Sequence, residues 1–230
     1  MLVKYWMKTN VAMVDETDPL QRAITVMRER LQPLIPVTYD GALVGVITDR
    51  DVKRASASDA TALEIHELAY LIAKLTVRDA MTRSVITIPP DYTLEEAAAQ
   101  LLINNISGAP VVDDKGKILG IISQREIFLA LLSLTGFGKR GIQLAVEIED
   151  RSGTIKEVTD VVRNHGGRLV SLLTSYDRAR PGHRRLYVRA WAVDRDGMQA
   201  MVEEIKKMAV LLYLVDHRDN RREEYVQSGN

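Results

Sequence analysis

The chain repeats itself, and that constrains its folding more than any other property. Residues 3–11 (VKYWMKTNV) return as residues 77–85 (VRDAMTRSV), an offset of 74. Pro36-Val37 returns as Pro110-Val111 at the same offset, and GVITDRDV at 45–52 returns as GIISQREI at 120–127, an offset of 75. The extra residue falls in the turn, where DDKG stands against YDG. A duplicated unit of this size folds into two related halves with clefts between them. That arrangement suits a ligand-binding module better than an enzyme built around one constellation.

Each copy predicts strand, helix, strand, strand, helix. In the first, a short strand near Met13-Val14 precedes a helix that Asp18 can cap, with Pro19 in its first turn. Leu20, Ala23, Ile24, Met27 and Leu31 share one face of that helix. Strands follow at 35–38 and 43–47 around a tight Asp40-Gly41 turn, and a second helix starts near Asp49. In the second copy, Thr93 and Glu96 form a capping box, strands are predicted at 110–112 and 118–122, and a helix at 126–134 is apolar nearly all round, so burial is expected for it. Between the copies, residues 55–75 carry an apolar stripe and predict an inserted helix.

After the Gly-rich break at 135–141 the pattern changes. Residues 142–148 alternate like a strand. A helix follows with Ile155, Val158 and Val162 on one face, stopped by Gly166-Gly167. Strands at 169–174 and 186–192, a helix around 198–208 and a strand at 210–215 complete the order βαββαβ, the ferredoxin-like arrangement. The expected organisation is repeat 1 with the inserted helix over 1–76, repeat 2 over 77–135, a joint and third domain over 136–217, and a disordered charged tail over 218–230. The fold class is α+β.

Composition narrows the function. Lys+Arg and Asp+Glu balance at 31 each, so no net field favours nucleic acid or an anionic membrane. With no cysteine there is no disulfide, thiolate metal site or Cys nucleophile. The N-terminus lacks a signal pattern and no apolar run reaches membrane-spanning length, so a cytoplasmic protein is expected.

The strongest site candidate is the repeated strand-to-helix turn: Thr48, Arg50 and Asp51 in one copy, Ser123, Arg125 and Glu126 in the other. A helix N-terminus offers free N–H groups and the positive end of the dipole to a phosphate. A carboxylate can accept both hydroxyls of a ribose, and an arginine supplies a counter-charge. The same residues also spell capping boxes, T-x-x-D and S-x-x-E. Both readings stand at this point. The longer arm of Glu126 shifts its carboxylate, which ranks the Asp51 copy first.

These motifs resemble a tandem pair of CBS (cystathionine β-synthase) domains: M-x-x-x-V at Met7–Val11 and Met81–Val85, the Pro-Val pairs, and GVITxxD with its partner GIISxxE. Residues 141–216 resemble an ACT domain through EDRSGTI at the first turn. The combined order resembles the acetoin-utilisation accessory (AcuB-type) family. The resemblance implies two βαββα repeats related by a pseudo-two-fold axis, followed by a ferredoxin-like ACT domain, acting as a non-catalytic regulator. It implies an adenosyl ligand in the cleft: AMP, ADP, ATP, NAD or S-adenosylmethionine. By the same resemblance Thr48, Arg50, Asp51, Ser123, Arg125 and Glu126 hold ribose and phosphate. The adenine slot is lined by Ile35 and Pro36 after Leu34, by Ala109 and Pro110 after Gly108, and by segments 10–11 (Val11) and 84–86 (Val85). Gly108 against Leu34 makes the two slots differ in room. Asp150, Ser152, Gly153 and Thr154 match the ACT effector turn. A homodimer and a regulated metabolic enzyme are the implied protein partners. The alternative is a scaffold that controls an enzyme by contact, without a regulatory ligand.

Other motifs carry less. Residues 136–141 fit G-x-G-x-x-G but follow a helix and precede a strand, the wrong context for a dinucleotide. His66, His165, His183 and His217 lack metal-ligand spacing. No metal site and no catalytic residue is expected.

Overall fold

The structure, a computed structural model, describes residues 1–58 and 74–225, excepting the side chains of 56–58. The contacts divide it into two compact units, 1–129 and 130–230.

In the first unit copy 1 folds in the expected order, and copy 2 follows it except that its first strand is reduced to a single bridge. Copy 1 has β1 (Val14–Asp15), α1 (Leu20–Arg30), β2 (Leu34–Tyr39), β3 (Ala42–Thr48) and α2 (Asp49–Ser58). Copy 2 has a short helix α3 (Val77–Ala80), α4 (Leu94–Ile103), β4 (Gly108–Val112), β5 (Ile118–Ser123) and α5 (Gln124–Leu134). β1 pairs parallel with β2, and β2 antiparallel with β3. In copy 2, β4 and β5 pair antiparallel, and the place of β1 is taken by a single parallel bridge, Ile88 to Val111.

The opening segment of each copy docks on the other copy. Lys8 pairs with Ile121 and Thr82 pairs with Val46. Val3 N–H donates to Tyr92 O at 2.8 Å, and Val77 N–H donates to Asp18 O at 2.9 Å. These contacts match residue for residue at the repeat offset, so the two-fold relation lies in the backbone as well as in the sequence. Between the halves, Leu34, Val46 and Ile121 form a small apolar cluster, with Val11 and Val85 packed against it.

Several local expectations are corrected. Asp18 does not cap α1: its carboxylate accepts from Asp15 N–H at 2.9 Å and from Arg22 at 2.8 Å. The extended backbone of Pro19 delays the helix to Leu20, one residue beyond the reach of Asp18. Leu31 ends α1 in a left-handed turn and is exposed instead of sharing the apolar face. In α5, Phe128, Leu129, Leu131, Leu132 and Leu134 are all exposed, against the expected burial, because among the described residues nothing covers that face. Most of the expected inserted helix, residues 59–73, lies outside the described residues.

The second unit is a five-stranded antiparallel sheet of order β10-β9-β6-β8-β7. Its elements are β6 (Ile142–Glu149), α6 (Thr154–Asn164), β7 (Arg168–Ser175), β8 (His183–Trp191), α7 (Met198–Lys206), β9 (Val210–Asp216) and β10 (Arg221–Glu224). Without β10 this is the βαββαβ order of the ferredoxin-like arrangement. Alternate residues of β6 (Ile142, Leu144, Val146, Ile148) pack on Val158 and Val162 of α6 and on Met201 and Ile205 of α7. The charged tail, expected to be disordered, pairs Arg221–Glu224 with β9, and the Tyr225 ring packs on the core.

His217 leads out of β9, with its ring edge on Phe137 and its Nε2 buried without a hydrogen-bond partner. Burial, then the charges of Arg189 and Arg222, lower its pKa from 6.5, against the opposing pull of Asp216. The folded state therefore binds fewer protons than the unfolded state just below pH 6.5, and stability falls as pH drops through that window. We expect the thermal midpoint of this unit to fall on acidification from pH 7 to 5.5, and His217→Asn to flatten that slope. An unchanged slope would remove His217 as its source.

Candidate functional site

The two repeated turns become two clefts related by the pseudo-two-fold axis. Cleft A, about 370 Å³, is lined from copy 1 by Leu34, Val46, Thr48, Arg50, Asp51 and Arg54. From copy 2 it takes Thr82, Ser84, Ile86, Ile106, Ser107, Gly108 and Pro110. Cleft B, about 300 Å³, is lined by Ile121, Ser123, Arg125 and Glu126 of copy 2 and by Lys8, Arg30, Leu31, Gln32 and Pro33 of copy 1. Both volumes are at the lower end of small-molecule sites.

Asp51 is buried and takes a full set of bonds. Its Oδ2 accepts from Thr48 N–H at 2.9 Å and from the Thr48 hydroxyl at 2.6 Å. Its Oδ1 accepts from Arg54 at 2.7 Å and from the Thr82 hydroxyl at 3.0 Å. A carboxylate offers about four acceptor positions, so an incoming diol that donates two bonds has to displace both Arg54 and Thr82. Asp51 N–H points back to Thr48 Oγ1 at 3.4 Å, so the capping box forms as well. Capping and ligand binding are compatible here, because the cap uses one carboxylate oxygen and leaves the other facing copy 2.

In cleft B, Glu126 Oε2 accepts from Ser123 N–H at 3.0 Å and from the Ser123 hydroxyl. Arg125 N–H donates to Ser123 Oγ at 3.2 Å. The places of Arg54 and Thr82 are held at the repeat offset by Leu129 and Lys8.

The adenine-slot residues divide by strand alternation. Leu34, Gly108 and Pro110 line cleft A. Ile35 and Ala109 face the other way and are fully buried, Ile35 in the core of copy 1 with Val37 and Ile47. They are corrected from slot residues to core residues, since neighbours on a strand point to opposite faces. Pro36 is buried in β2 opposite Val46. Val11 and Val85 support the cluster of Leu34, Val46 and Ile121. Gly108 occupies the position where copy 1 has Leu34, and a Cβ there would lie 3.0 Å from Ile122 O.

Sequence reasoning missed Arg54, Thr82, Ile106 and Ser107 in cleft A, and Lys8, Arg30 and Gln32 in cleft B. Applying the repeat offset crosswise, with the opening segment of one copy against the turn of the other, would have found Thr82 and Lys8.

In the second unit, Gly153 has φ +93°, a conformation that favours glycine, and opens α6. The Thr154 hydroxyl donates to the carbonyls of Glu149 and Arg151, both at 3.0 Å, so it is spent inside the turn. Asp150 pairs with Arg184 at 3.4 Å, and Ser152 is exposed.

The CBS-domain family profile matches residues 3–58 and 77–133. The uncharacterized protein MJ1426 of Methanocaldococcus jannaschii is 29% identical over 154 residues, 57% of this chain and 92% of that protein. An inosine-5'-monophosphate dehydrogenase of Korarchaeum cryptofilum is 27% identical over 173 residues, 70% of this chain but only 33% of the enzyme. Among solved structures, the CBS domain pair of protein MJ0100 in complex with 5'-methylthioadenosine and S-adenosyl-L-methionine has a TM-score of 0.50 and 27% identity. It covers 60% of this chain and 98% of that one. With this match to each repeat, the first unit of the chain is a tandem pair of CBS domains.

Proposed function

We propose that this protein is a non-catalytic regulator that binds one adenosyl ligand in cleft A. One observation carries the reading: the Asp51 carboxylate stands at the N-terminus of α2, in a cleft with apolar walls at Leu34, Ile86 and Ile106 and cations at Arg50 and Arg54. A ribose diol suits the carboxylate. A flat base suits the apolar walls, and a phosphate or other polar tail suits the helix end. That the similar MJ0100 pair holds methylthioadenosine and S-adenosylmethionine supports the same ligand class, with AMP, ADP, ATP and NAD as further candidates.

The diol competes with Thr82, which belongs to copy 2, for an oxygen of Asp51 in copy 1. Binding thereby trades an inter-repeat contact for a ligand contact, and a ligand that prefers one packing of the repeats shifts the protein toward it. We assign residues 1–76 and 77–135 to the CBS pair and 136–217 to an ACT domain, on the element order of the second unit. On the same reading Asp150, Ser152, Gly153 and Thr154 form its effector turn, and the protein belongs to the AcuB-type group and acts in the cytoplasm. Among the described residues no helix is long and apolar enough to cross a membrane.

The exposed apolar face of α5 favours a homodimer, and also a second reading in which the protein is a scaffold for a metabolic enzyme. Calorimetric titration of the full chain with S-adenosylmethionine, methylthioadenosine, AMP, ATP and NAD tests the first reading. Saturable binding of at least one is expected; no heat from any of them would overturn it and leave the scaffold.

A further inference from the structure

The two clefts share a backbone and differ in what fills them. Leu31 and Asn105 both adopt left-handed turns, φ 46° and 51°. Gln32 N–H then donates to Met27 O at 3.1 Å, and Ile106 N–H donates to Leu101 O at 3.0 Å. Facing them, Val11 N–H donates to Thr9 O and Val85 N–H donates to Arg83 O, both at 3.0 Å. Gln32 and Ile106 are thus equivalent by structure, and so are Ala12 and Ile86, which follow those valines.

In cleft A, Ile106 and Ile86 are lining residues, and the backbone N–H and C=O of Ile86 have no partner among the described residues. In cleft B the same backbone groups are taken. Ala12 N–H donates to Gln32 Oε1 at 3.1 Å, and Gln32 Nε2 donates to Ala12 O at 2.9 Å and to Leu34 O at 3.0 Å. The Gln32 side chain is 1% exposed. A flat group with a donor beside an acceptor, paired on one backbone residue, is what the Watson–Crick edge of adenine presents, an amino N–H beside a ring nitrogen.

We propose that Gln32 is a built-in occupant of cleft B, its carboxamide filling the place that an adenine edge takes in cleft A. The chain then binds a single adenosyl ligand despite having two nucleotide turns. The cavity that remains in cleft B carries the charged groups Lys8, Arg30, Arg125 and Glu126 beside Gln32.

This inference rests on the adenosyl-ligand reading, and the test separates the two. Equilibrium dialysis of the full chain with radiolabelled S-adenosylmethionine and AMP gives moles bound per chain. One is expected for the wild type and two for Gln32→Ile, which installs the residue of the open cleft. The reciprocal Ile106→Gln should lower the affinity of the single wild-type site at least tenfold, and it keeps the test alive if Gln32→Ile does not fold. Two sites in the wild type, one site still in Gln32→Ile, or full affinity in Ile106→Gln would each overturn the proposal. No binding to wild type with one site in Gln32→Ile would sink the reading of cleft A and keep Gln32 as occupant. No binding to either would sink both.

Discussion

Asp51→Ala is expected to abolish high-affinity binding of the adenosyl ligand, with a loss of about 100-fold or more. Two hydroxyl bonds to a carboxylate, at roughly 1.5–3 kcal/mol each, are removed at once, and about 2.7 kcal/mol is already a factor of 100. The same substitution also costs stability. It deletes the cap acceptor of α2, about 1 kcal/mol, and it strands the Thr82 hydroxyl that Asp51 holds at 3.0 Å. Asp51→Asn separates the two effects, because one amide oxygen can still receive Thr48 N–H while the charge is gone. We expect Asn to fold close to the wild type and still to lose most of the affinity. Glu126→Ala is expected to reduce binding far less, since the proposed ligand site is cleft A. Titration calorimetry gives the affinities and urea unfolding the stabilities. Equal losses for Asp51→Ala and Glu126→Ala would refute the assignment of the site to cleft A.

Gly120→Ala is expected to be the most damaging small substitution in the first unit. A Cβ there would sit 2.6 Å from the backbone oxygen of Lys8 and 3.0 Å from Met7 Sδ. Lys8 and Ile121 exchange two backbone hydrogen bonds, 2.9 and 3.0 Å, immediately beside that point. A backbone oxygen cannot swing aside as a side chain can. The added methyl therefore lifts the opening segment off copy 2, at about 3 kcal/mol from overpacking and weakened bonds together. Gly45, its repeat partner, meets Met81 Sδ at 2.6 Å and Thr82 O at 3.2 Å. A flexible thioether can move away, so Gly45→Ala should cost about 1 kcal/mol. Urea midpoints of the two variants check this order; a reversed order would mean that the opening segments do not dock crosswise as described.

Much of the first unit was legible because its signals are local. The Thr93 and Glu96 capping box, the alternation of the strands and the offset between Pro36 and Pro110 need only neighbouring residues to be read. The site turn was legible for the same reason, since Thr48 and Asp51 lie three residues apart and bond within the turn. The misreadings were also local in origin. The resemblance puts Ile35 and Ala109 in the slot, but one step along a strand reverses the face. Asp18 was placed as a cap without allowing for the extended backbone of Pro19. The charged residues 221–224 read as a tail because an edge strand needs little apolarity, only a neighbour such as β9 with free backbone groups.

By itself the sequence determined that there are two copies, in what order their elements come, and which carboxylates open the two equivalent helices. Those properties follow from periodicity and spacing along one chain. Only the tertiary structure decided that residues 1–8 pair with copy 2 while 76–82 pair with copy 1, that Thr82 and Arg54 share the Asp51 carboxylate, and that Gln32 bonds Ala12. Each of these joins residues twenty or more apart, or depends on which way a side chain turns. They matter for the candidate site because each cleft is built from both copies, so neither copy read alone contains a complete one.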